Sequence, residues 1–261
     1  MREADAEQFK EWFSGYTKTF HSDDKEEQKN IALKIRHTSE VCSVMRQLAA
    51  AMFPDENSRL VAEAAALFHD VGRFPQYAEY KTFRDSISVN HGKLGAEVLV
   101  RERVLAGLPE HEQAVILQAV QFHNAFEIPG LKDGDALMVL KMVRDADKLD
   151  IWRIYLGFYE GDPADIASEA GLGLPDLPGY SDPVLESIFN RQTASLKDLR
   201  CLNDFTLMLL SWTYDLNFTS SAALLAEKGY VSRLISLLPQ TPDVLRAREE
   251  LLSYLRARTA P

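Results

Sequence analysis

Apolar residues recur three and four positions apart along nearly all of the 261-residue chain, and alternating, strand-like runs are scarce. That period predicts an all-α protein. One amphipathic stretch covers 31–52 and is closed by Pro54, and an alanine-rich one covers 58–71, with Gly72 in the position of a C-terminal cap. Asn90 is placed to cap a helix over about 91–106, Pro109 to open one running to about 123, and a longer helix is expected over about 135–160. Residues 161–183 (GDPADIASEAGLGLPDLPGYSDP) interrupt this pattern with Gly and Pro and suggest a lid or rim loop. The expected organisation is a helical core over 1–160, the loop 161–183, and C-terminal helices over 184–261 packing on the same domain.

Polar residues that fall on the apolar faces carry the chemistry. The chain has six histidines. His37 shares a stripe with Val41, Val44 and Leu48, His69 lies over Ala62, Ala65 and Ala66, His91 begins the face of Leu94 and Val98, and His123 follows Ile116, Ala119 and Val120. His21 and His111 sit among charges or in a first helical turn and are expected in solvent. Asp147 falls on a stripe with Leu140, Val143, Ile151 and Ile154, with Asp145 and Asp150 off it or at its margin. A buried carboxylate is costly unless paired, neutralised or bound to metal. Taken singly, an inward histidine is most simply a hydrogen-bonded core residue. Four imidazoles and two acids on five helices are better explained together, as ligands.

Neutral imidazole and carboxylate suit Mn, Fe, Co, Ni or Zn, whereas Mg and Ca favour oxygen cages. Four His and two Asp exceed one catalytic ion and fit two that share a carboxylate, for which Asp70, beside His69 at a turn, is the natural bridge. Such ions, about 3.5–4 Å apart, acidify a shared water and clamp an oxyanion opposite it.

Charge narrows the partners. A formal net charge of −10 with pI ≈ 5.1 and no dense Lys/Arg block argue against a nucleic acid polymer and leave room for a small anion held by a few local cations. Two cysteines, Cys42 and Cys201, make no disulfide framework, which points to a reducing cytoplasm. The charged N-terminal stretch lacks an apolar signal core, and no apolar run approaches the ~20 residues that span a bilayer, so no membrane association is expected.

His37, the His69-Asp70 doublet and Asp147 resemble the H…HD…D signature of the HD-domain superfamily of metal-dependent phosphohydrolases. The contexts HDVGR, NHGKLGAEVL, HN and RDADKLD extend the resemblance over roughly 30–155. It implies an HD-type helical bundle with additional C-terminal helices, metal ligation by those four residues, and a second ion through His91 and His123, which match the extra histidines of two-metal members. It also implies hydrolysis of a small phosphate ester, a nucleotide-like monoester or diester, through metal-bound hydroxide. Asp70, Arg73 and Lys148 would then be the catalytic group, Arg73 meeting the phosphate with its planar fork and Lys148 or Lys93 supplying a second cation. Cyclic-dinucleotide phosphodiesterases of this superfamily commonly have lysine where this chain has Arg73; their further histidine pairs and GYP element are missing here, as is the HDxxED pattern of alarmone hydrolases. The same six ligands also serve a di-iron oxygenase branch resembling myo-inositol oxygenase, and a nucleotide-binding regulatory module without turnover is a third reading. Tyr77, Tyr80, Phe83, Asp85 and Ser88 are candidates for the rim, while Phe126, Trp152 and Tyr155 are expected in the core.

Overall fold

The computed structural model describes residues 1–128, 130, 134–162 and 167–260. Among them every regular element is a helix, as the periodicity requires, and none is long and apolar enough to cross a membrane. The chain divides into two compact units, one of Met1–Asp150 with Ala167–Glu169, the other of Ile151–Ile166 with Ala170–Pro261.

The first unit holds α1 (Glu3–Lys18), α2 (Lys25–Met52), α3 (Glu56–Phe68), α4 (Arg73–Tyr80), α5 (His91–Arg101), α6 (Glu110–Phe122) and the start of α7 (Asp135–Glu160). Helix starts follow local chemistry. Asp24 accepts from the Glu26 and Glu27 amides, Asp55 from Ser58 N, and Asn90 from Lys93 N, each satisfying an otherwise unpaired amide. Ala62, Ala65 and Ala66 are completely buried, and this small-residue face lets α2 and α6 pack closely on α3. Phe9 and Trp12 of α1 meet Phe68 edge to face.

Two local expectations change. Gly72 is not a left-handed cap: α3 ends at Phe68, and Gly72, at φ −69°, is the residue before α4. Its missing side chain serves close packing, since a Cβ there would lie 2.2 Å from the His91 carbonyl oxygen and 2.6 Å from Gly95 N. Phe126, expected in the core, is 68% exposed, because the chain leaves α6 at His123 before reaching it. Trp152 and Tyr155 are buried as expected.

The second unit contains α8 (Asp182–Phe189), α9 (Leu202–Ser211), α10 (Thr219–Glu227), α11 (Tyr230–Leu237) and α12 (Pro242–Thr259), together with the end of α7. Leu207, Leu209, Leu210, Leu225, Leu234 and Leu251 form its core. The Trp152 indole donates to Leu209 O at 2.9 Å, and the Tyr155 hydroxyl to Leu202 O at 2.9 Å. The division falls inside α7, ten residues before the boundary expected at 160. Of the segment 161–183, residues 163–166 lie outside the described residues. Ala167–Glu169 belongs to the first unit, where Ser168 N donates to Glu26 Oε1 and Glu169 N to Asn30 Oδ1.

Candidate metal centre

The six expected ligands meet in the first unit. His37 comes from α2, His69 and Asp70 from the turn after α3, His91 from the first residue of α5, His123 from the residue after α6, and Asp147 from α7. The four imidazoles and Asp70 are buried, and the Asp147 side chain is 18% exposed.

Each imidazole is held from behind. His69 Nδ1 donates to Ala66 O at 2.7 Å and His123 Nδ1 to Val120 O at 2.8 Å; a carbonyl oxygen only accepts, so both rings carry their proton on Nδ1. His37 Nδ1 lies 2.7 Å from Asp150 Oδ2, and His91 Nδ1 2.8 Å from Asp85 Oδ2. All four rings thus turn Nε2 inward, with the tautomer set by a carbonyl or a carboxylate, the arrangement that metal-ligating histidines use.

The inward atoms form two groups that share Asp70: His37, His69 and Asp70, and Asp70, His91 and His123. His37 and His69 Nε2 are 3.2 Å apart, and His91 and His123 Nε2 3.0 Å. Two imidazoles bound to one ion at about 2.0–2.1 Å with bond angles of about 90–110° place their nitrogens roughly 2.9–3.4 Å apart. Both pairs have that spacing. The Asp70 oxygens divide between the groups. Oδ2 is 3.5 Å from His37 Nε2 and 3.7 Å from His69 Nε2, while Oδ1 is 3.3 Å from His91 Nε2 and 3.7 Å from His123 Nε2. Asp147 Oδ1 adds a second carboxylate to the first group, 3.1 Å from His37 Nε2. With both Nδ1 atoms of the second pair protonated, two Nε2 lone pairs face each other at 3.0 Å, a geometry that calls for a cation. The donor set therefore forms two clusters, sharing Asp70, that could hold divalent metal ions.

Electrostatics prepare these groups as ligands. Burial pushes His69 down to about 4, and burial together with Arg73 pushes His91 down to about 3 against the pull of Asp85, so both rings are neutral at pH 7. His37 differs: burial and Lys34 press it down, but hydrogen bonds to Asp147 and Asp150 prevail and raise it to about 9. Burial alone would raise Asp70, yet Lys34, His69, His123 and Arg73 hold it well below the usual carboxylate range. Asp85 is half-buried, which alone would raise it, but is held low by His91, Arg73 and Gln76.

Arg73 reaches both Asp70 and Asp85. Its Nη1 donates to Asp85 Oδ1 at 2.9 Å, to Gln76 Oε1 at 2.9 Å and to Phe83 O, and its Nε lies 3.4 Å from Asp70 Oδ1. Lys148 is buried one residue beyond Asp147, whereas Lys93 is exposed and faces Glu97. His21 and His111 are exposed, His111 with Asp135 at 3.0 Å. Among the rim candidates, Ser88 Oγ accepts from Gln76 Nε2, Tyr77 and Phe83 are buried, and Tyr80 is exposed.

Three side chains matter more than their sequence positions suggested. Asp150, placed at the margin of the α7 stripe, backs His37, and its spacing of three from Asp147 on one helix was the available signal. Asp85, read only as a rim residue, gathers His91, Arg73, Gln76 and Asn124 from a short 3₁₀ turn with no periodicity to mark it. Lys34, one helical turn before His37, donates to Asp70 Oδ2 at 2.8 Å.

Four Nε2 atoms and two carboxylates turned on one space form a candidate metal site. The family model for the HD domain matches residues 35–152, a span that contains all six candidate ligands. HD domains form a superfamily of metal-dependent, hydrolase-type proteins. Comparison with curated proteins and with solved structures finds no match.

Proposed function

We propose that this protein is a metal-dependent phosphohydrolase acting on a small phosphate ester, a nucleotide-like monoester or diester. The observation that carries the reading is the division of Asp70: one buried carboxylate gives one oxygen to each of two histidine pairs already spaced as ligands. Divalent ions bound there supply Lewis acidity and acidify a water, the chemistry that in-line attack on phosphorus needs. His37, His69, Asp70 and Asp147 would hold one ion, and Asp70, His91 and His123 the other. Asp150 and Asp85 keep the rings of His37 and His91 oriented and more basic, so that they hold an ion more strongly. Arg73 fixes Asp70 relative to Asp85 through Nε and Nη1, which leaves Nη2 without a hydrogen bond among the described residues and open to a phosphate oxygen. Lys148, the other cation assigned to the phosphate, follows ligand Asp147 on α7.

The reading is tested by assaying protein loaded in turn with Mn, Fe, Co, Ni or Zn against phosphomonoesters, nucleotides and cyclic dinucleotides, while following dissolved oxygen. Release of phosphate or opening of a diester is the expected result. Oxygen uptake by the iron-loaded protein without phosphoester turnover would contradict it.

A further inference from the structure

We infer that Lys34 is a second phosphoryl-binding cation, placed at the Asp70 oxygen that faces the His37–His69 pair. The inference rests on the phosphohydrolase reading above and adds a residue to it.

Lys34 lies three residues before His37 on α2, one turn away on the same face. Its Nζ is 2.8 Å from Asp70 Oδ2, which is also the oxygen 3.5 Å from His37 Nε2 and 3.7 Å from His69 Nε2. The amine therefore stands beside the position where an ion held by His37, His69 and Asp70 would sit. The stem is not loose: Nζ lies 5.1 Å from the centre of the Phe83 ring, and the Arg73 guanidinium lies 5.8 Å from the same ring. Phe83 is itself fixed, its N–H donating to Glu169 Oε2 at 2.9 Å and its carbonyl accepting from Arg73. One anchored aromatic ring thus supports two cations, Lys34 at Oδ2 and Arg73 at Oδ1 of a single carboxylate.

Such a lysine is poorly explained as scaffolding. An ammonium beside a divalent ion is repelled by it and competes for the same oxygen, so on its own it weakens metal binding. An anion resolves the conflict, because one oxygen can meet the ion while another accepts from the ammonium. Lys34 has the capacity: of its three donors one is taken by Asp70, and the side chain retains 13% exposure, which leaves it accessible from solvent. Arg73 at Oδ1 would hold the same anion from the other side, so a tetrahedral oxyanion is the class of ligand that fits.

The test uses inorganic phosphate as the probe and calorimetry on metal-loaded full-length protein, with metal content and melting temperature measured alongside. Lys34→Met keeps the length of the stem and removes the charge. It should lose about tenfold or more in phosphate affinity, while binding metal at least as tightly as the wild type, and Lys34→Arg should recover most of the phosphate affinity. Phosphate binding by Lys34→Met equal to wild type would overturn the role of Lys34 and leave the phosphohydrolase reading standing. Loss of metal from Lys34→Met, with phosphate affinity falling only in step, would make Lys34 a structural partner of Asp70 and overturn the inference. A metal-loaded wild type that binds no phosphate would overturn both readings.

Discussion

At the scale of single residues, the centre depends on what stands behind each imidazole. Asp150 Oδ2 at 2.7 Å from His37 Nδ1 both orients the ring and raises its basicity. Replacing Asp150 with Asn preserves shape and removes the charge. Metal affinity should fall about 10–100-fold, which titration calorimetry reads directly. The same pair sets a proton balance. In the metal-free protein His37 is raised to about 9 and so carries a second ring proton at pH 7, while His69 and His91, lowered to about 4 and about 3, are neutral. Metal uptake at pH 7 must therefore expel the His37 proton, and apparent affinity should rise with pH until about 9, where the proton is already lost. Calorimetry in buffers of differing ionisation enthalpy measures that release. Uptake at pH 7 without proton release would show that His37 is neutral before the ion arrives.

Helices determine which of these residues could be recognised beforehand. A histidine on an apolar stripe betrays itself by period, as His37 does among Val41, Val44 and Leu48, and so the four buried imidazoles were legible. Lys34 was not, because a charged residue three positions from a candidate ligand reads equally well as a solvated flank, and Asp150 was placed only at the margin of the α7 stripe. On α7 the stripe argument fails for a different reason: Arg144, Asp145, Lys148 and Asp150 are all buried, so over this stretch position on one face does not sort inward from outward. Asp85 and α4 escaped because a 3₁₀ turn of three residues and a helix of eight are too short to display a period. Gly72 was noticed for the wrong property. Its backbone is ordinary, so Gly72→Ala should act purely by collision with the His91 carbonyl, costing about 1–3 kcal/mol through overpacking. Thermal unfolding should show a melting temperature lower by several degrees, and an unchanged one would mean that α4 and α5 are not packed this closely.

For the whole molecule, charge separates a local anion site from a polyanion surface. The net charge is −10, and Lys34 and Arg73 both meet the one carboxylate of Asp70. The protein should therefore pass through a heparin column at about 0.15 M salt. Retention would point to a basic face that the sequence does not reveal. The HD-domain match lies over 35–152, whereas the second unit has a leucine-rich core and, among the described residues, no cluster of three metal-ligating side chains. The central claim, two ions bridged by Asp70, is tested most directly by elemental analysis of metal per chain in wild type and in Asp70→Ala. About two ions per wild-type chain, and loss of metal in Asp70→Ala, is the predicted result. Equal metal content in the two proteins would contradict it.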